Sequence, residues 1–172
     1  MASLMETLID VLDKESAEYE KLLELTMKKT PVIVSENLDE LAEITDEEQI
    51  IVSRINHLDN LREEAVNDIA NVLNKDVTKL KITDLIKMLA PRPEEQVKLA
   101  TAFDRLKEHV RAVKRVNEQN RELIESALEM VQFNMNVLQS IKSAPETANY
   151  NRGAYNTGDA IGTNYMSFDA KQ

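Results

Sequence analysis

The sequence predicts an all-α protein: an elongated antiparallel helical bundle of three long helices and one short one, followed by a flexible C-terminal tail. Only three glycines and no tryptophan occur in 172 residues, and aromatics make up 4%, a balance that starves sheets and tight turns. Apolar residues recur at three- and four-residue steps, the period of a helix with one buried stripe. The four prolines, Pro31, Pro91, Pro93 and Pro145, stand where helices would end or begin.

The first helix is expected from about Ser3 to Lys29, with Met5, Leu8, Leu12, Tyr19 and Leu22 on its stripe. Thr30-Pro31 should end it, because proline disfavours helical geometry in the residue before it. Asn37 or Ser35 then offers a side-chain oxygen to cap a second helix. Its stripe is Leu41, Ile44, Glu48, Ile51, Ile55, Leu58, Arg62, Ala65, Ile69 and Val72, apolar except at Glu48 and Arg62. A polar connection from Asn74 to Lys81 leads to a short helix capped by Thr83 and stopped by Pro91-Arg92-Pro93. Pro93 followed by Glu94-Glu95 reads as the first turn of the last helix, where a missing amide proton costs nothing and acids favour the positive end of the dipole.

No glycine or proline then intervenes before Pro145, giving about 48 helical residues and a rod on the order of 70 Å at 1.5 Å per residue. Its seam is Leu99, Phe103, Leu106, Val110, Val113, Asn117, Asn120, Ile124, Ala127, Val131, Asn134, Leu138 and Ile141. This heptad repeat implies left-handed packing against nearly parallel or antiparallel neighbours. Short connections favour a hairpin of the first two helices closed by the last, with the short helix plugging one end. From Ser143 the periodicity vanishes and Asn, Gly, Thr and Ala dominate, so residues 1–142 read as a helical domain and 143–172 as a mobile polar tail. The tail's spaced aromatics suit either a docking peptide that orders on a partner or a solubilising overhang.

A net charge of −10 repels phosphate backbones and acidic membranes. The acids crowd between Glu36 and Asp68, whereas Arg105, Lys107, Arg111, Lys114 and Arg115 make the last helix mildly basic; complementary solvated faces on neighbouring helices explain both. With no cysteine, disulfides and thiolate metal sites are excluded. Acids interrupt the N-terminal apolar residues, so neither a secretory signal nor a membrane anchor is expected there, and no stretch approaches the roughly 18 apolar residues of a membrane span. A cytoplasmic location is the expectation.

Catalysis finds no support. Gly153, Gly158 and Gly162 all lie in the tail, so no glycine-rich phosphate loop exists. A di-iron bundle would need Glu-x-x-His pairs, but Arg54 precedes His57 and Leu106 precedes His109 at that spacing. No cofactor or metal is called for.

The polar intrusions say more. Glu15, Glu48, Arg62, Asn117 and Asn120 stand where leucine would be expected, and burial obliges them to find partners. Counting from a turn at Thr30-Pro31 places Glu48 near Tyr19, and Glu15 near Ile51 to Ile55. Such groups fix helix register, as buried asparagines do in coiled coils, or keep the bundle loose enough to reopen. Beside the last seam, Val116, Leu123, Met130 and Val137 repeat every seven residues, and Leu128, Phe133 and Met135 add apolar area. A helix this apolar has a second groove to cover, with its own core, another subunit or a client.

Glu15-x3-Tyr19-x2-Leu22-Leu23, Leu38-x2-Leu41, Glu48, Leu58-x3-Arg62, and Asn117-x2-Asn120 followed by Ile124 and Leu128 together resemble the FlgN family of flagellar export chaperones. The resemblance covers roughly residues 1 to 142 and lies in the order of weak motifs. It implies a cytoplasmic, non-enzymatic chaperone that binds helical C-terminal segments of the hook-filament junction proteins FlgK and FlgL. It would deliver them to the type III export gate, with the FlhA cytoplasmic domain as receptor. The client groove would then include Leu123, Leu128, Met130, Phe133 and Val137; Tyr150, Tyr155 or Tyr165 would dock at the gate. The rival expectation is a structural coiled-coil adaptor that self-associates as a homodimer through the same helix surface.

Overall fold

A computed structural model describes residues 2–143. Four helices follow one another, α1 (Ala2–Val34), α2 (Leu38–Val72), α3 (Ile82–Met88) and α4 (Pro93–Ser143), with no strand among the described residues. The chain divides into residues 1–131, which hold the bundle, and residues 132–172, of which the last part of α4 is described. The tail tyrosines Tyr150, Tyr155 and Tyr165 lie outside the described residues.

Helix α1 does not stop at Thr30-Pro31. It runs through Pro31 to Val34, which corrects the sequence expectation. Proline inside a helix costs about 3 kcal/mol, because Pro31 cannot donate to the Met27 carbonyl. Both residues are exposed, so water can take that carbonyl. In return Val32 and Ile33 become buried, each worth on the order of 1.5–3 kcal/mol, and the balance favours continuing.

The real end of α1 is a Schellman turn. Glu36 N–H donates to the Ile33 carbonyl (3.1 Å) and Asn37 N–H to the Val32 carbonyl (3.3 Å). This geometry places Glu36 at φ 56, a left-handed position that favours glycine. Helix α2 ends the same way, with Asn74 at φ 50 and bonds from Asn74 and Lys75 to Asn71 and Ala70. Asparagine tolerates that conformation, whereas glutamate carries a penalty of about 1 kcal/mol.

Asn37 caps α2 as expected, its side chain accepting from Glu40 N–H at 3.2 Å. The expected Thr83 cap gives way to Lys81, whose N–H donates to the Asp84 carboxylate (3.3 Å). Starting two residues earlier brings Ile82 into the helix, where it joins the core. Pro93 opens α4, with Glu94 and Glu95 in its first turn.

Cross-helix pairs set the directions. Glu15 meets Arg62, and Lys29 meets Glu48, so α1 and α2 are antiparallel. Asp13 meets Arg105, Ser16 meets His109, and Thr30 meets Asn120, so α4 runs parallel to α1. One core cluster joins Leu8 and Leu12 of α1, Ala65 and Ile69 of α2, and Leu99 and Leu106 of α4. The short helix seats Ile82 and Leu85 in this cluster and plugs that end of the bundle. A second cluster, with Leu22, Leu25, Val32, Ile44, Ile51 and Val113, fills the half nearer the α1–α2 turn.

Candidate functional site

Two polar layers are built into the core. In the first, the 3% exposed Glu15 lies beside Arg62, with Nε 3.4 Å from Oε2. Asp59 also pairs with Arg62. Glu15 Oε2 accepts no hydrogen bond, so the pair is purely coulombic there. Burial pushes the Glu15 carboxyl above its ordinary range, Arg62 pulls it back in part, and Asp59 adds to the rise. Burial, Glu15 and Asp59 likewise raise the neighbouring Tyr19 phenol, while Arg62 opposes them.

In the second layer, the 2% exposed Asn120 accepts from the Thr30 hydroxyl (2.7 Å) and donates through Nδ2 to the Thr26 carbonyl (2.8 Å). Lys29 Nζ reaches Glu48 Oε2 at 2.8 Å, and the Thr26 hydroxyl lies 3.2 Å from the other Glu48 oxygen. Asn117 is exposed, which corrects its expected place in the seam. The pairings are also displaced by roughly two helical turns from the expected ones. Glu48 faces Thr26 and Lys29 rather than Tyr19, and Glu15 faces Arg62 rather than Ile51 to Ile55, because the turn lies at Ser35 to Asn37.

A raised carboxyl stabilises the fold when protonated, and that contribution is lost as pH rises through the folded pKa. Glu15→Gln should therefore remove a downward slope of stability with rising pH that begins just above 4.5. Paired urea titrations of wild type and variant from pH 7 to 4.5 measure it; identical slopes would contradict the assignment.

Within residues 1–131, α4 changes character after Asn120. Leu123, Ile124 and Ala127 are half-buried, whereas Leu128 is 62% and Met130 63% exposed, and Val131 is exposed too. Leu128 and Val131 face Val32, Ile33, Leu38 and Leu41 across an apolar groove of about 260 Å³, which Ile124, Ala127 and Glu36 also line. Sequence reading missed the α1–α2 wall of this groove by placing the turn too early. Leu38 was the signal, a leucine directly after the cap where an acid would be ordinary; it is 74% exposed.

In residues 132–143, Phe133 is 66% exposed, and Met135, Val137, Leu138 and Ile141 are exposed as well. Lys142 is the single charged residue of that segment. Within residues 1–131, Leu123 and Met130 fall on one helix face by their seven-residue spacing. At about 100° per residue, Leu128 lies across from that face. Of the five residues expected to form one groove, Leu123, Leu128 and Met130 lie in residues 1–131 and Phe133 and Val137 in residues 132–143. Contiguous exposed apolar surface of this kind marks interaction sites.

Among the described residues no group of three His, Asp or Glu is placed to hold a metal ion, and no helix is long and apolar enough to cross a membrane. No curated protein and no solved structure matches the chain. A family model described as FlgN protein matches residues 1–157. With the helical order, the paired polar layers and a match over most of its length, the chain belongs to the FlgN family of flagellar export chaperones.

Proposed function

We propose that this protein binds helical C-terminal segments of FlgK- and FlgL-like junction proteins in the cytoplasm, keeps them unassembled, and hands them to the FlhA cytoplasmic domain at the export gate. The observation that supports this reading is the exposed apolar run on α4, Leu128, Met130, Phe133 and Val137, with Leu123 half-buried beside it. An amphipathic client helix gains on the order of 1.5–3 kcal/mol for each such side chain it fully covers. Methionine adapts to irregular partners. Glu15, Tyr19, Glu48, Arg62 and Asn120 hold the register of the scaffold. The family relationship supports hook-associated proteins as the client class, and no step requires catalysis. One of Tyr150, Tyr155 and Tyr165 serves gate docking in this reading.

The test is complex formation between the full chain and a FlgK-like C-terminal fragment, followed by size-exclusion chromatography with light scattering. A chaperone gives a discrete complex that excludes chaperone self-association through α4. A stable homodimer indifferent to the fragment would replace this reading with the adaptor.

A further inference from the structure

We propose that the groove between the α1–α2 turn and α4 seats an amphipathic helix whose apolar stripe is flanked by basic residues. This deepens the chaperone reading and rests on it for the client's helical form. The groove itself is apolar, walled by Val32, Ile33 and Leu38 on one side and Ile124, Leu128 and Val131 on the other. Its one charged lining residue is an acid, Glu36. Between Val32 and Gln49 the chain carries seven acids and no lysine or arginine, of which Glu48 is taken up by Lys29. Glu36 is exposed, and among the described residues no ion pair neutralises it.

An acid-flanked helix entering this groove would meet the Glu36 carboxylate, whereas a lysine or arginine beside the stripe would pair with it. Glu36 reinforces the point. It lines the groove and occupies a left-handed backbone position that glycine would hold without strain. A carboxylate kept at that position fits a rim that selects cationic flanks.

Two synthetic 20-residue amphipathic peptides with the same leucine stripe, one flanked by lysine and arginine and one by glutamate, are titrated into the full-length protein by fluorescence anisotropy. The basic peptide should bind about tenfold tighter at low salt, and the gap should narrow to about threefold or less in 0.5 M NaCl. Glu36→Gly should raise the thermal midpoint by about 2–4 °C while reducing the preference by about twofold. Leu38→Ser with Val131→Ser, both exposed positions, should weaken the basic peptide by about tenfold.

Equal binding of the two peptides, or tight basic-peptide binding untouched by the Leu38/Val131 pair, would overturn the proposal. If a FlgK-like fragment were still captured in that case, the chaperone reading would stand without this groove. Conversely, a wild-type protein that prefers the basic peptide in the groove but ignores the fragment would support the groove and remove the proposed client.

Discussion

Replacing Arg62 with leucine is expected to lower the unfolding free energy at neutral pH by about 2–3 kcal/mol, the largest stability effect of any single polar substitution in the bundle. Removing one partner of a buried pair leaves the other charge uncompensated, at a cost of about 3–5 kcal/mol when both are fully enclosed. Arg62 is 26% exposed on its side chain, so solvent screening brings the loss to the bottom of that range or just below it. Glu15 then loses the cation that holds its raised carboxyl down and protonates more readily still. The deficit should therefore shrink as pH falls through the folded pKa of Glu15, because the protonated form needs no cation. Adding Glu15→Gln should restore most of the loss at neutral pH. Urea unfolding of the two single variants and the double variant closes the cycle; strictly additive losses would mean that the two side chains do not interact.

The larger functional effect is expected from Met130→Asp with Phe133→Asp, which should reduce capture of a FlgK-like C-terminal fragment by about 100-fold while leaving the bundle folded. Both side chains are mostly solvent-exposed, so the new carboxylates remain hydrated in the free protein. Aspartate costs each helix position no more than about 0.7 kcal/mol. In the complex the same carboxylates would have to enter an apolar interface without partners, at several kcal/mol. Circular dichroism should show unchanged helix content, and isothermal titration should show the lost affinity. Full affinity in a folded double variant would remove Met130 and Phe133 from the interface.

The fold class and the order of four helices were legible because periodicity, the Asn37 cap and the Pro93 start are local signals. The error at Pro31 was local reading overruled by packing: Val32 and Ile33 gain more by burial than proline costs. That one displacement propagated, since register between helices depends on where the turn lies. Glu15 and Glu48 were rightly expected to find partners, yet Arg62 and Lys29 were not the ones anticipated. Asn117 and Asn120 look equivalent in a heptad, but only Asn120 meets Thr26 and Thr30 across the α1 interface. The apolar surplus on α4 was visible in the sequence. Its second wall could not be read from α4, because no periodicity within α4 reports on a residue in another helix; its one local signal was Leu38 itself, directly after the Asn37 cap.

Methyl NMR of the seven methionines tests most directly whether the exposed run on α4 is where a client helix sits. Met130 and Met135 are exposed on α4, Met5 is buried in the core, and Met88 lies on α3 at the plugged end. Adding a FlgK-like C-terminal fragment should shift the Met130 and Met135 methyl signals in proportion to occupancy and leave Met5 and Met88 in place. Shifts confined to Met5 or Met88, or a bound fragment that leaves Met130 and Met135 unmoved, would contradict it.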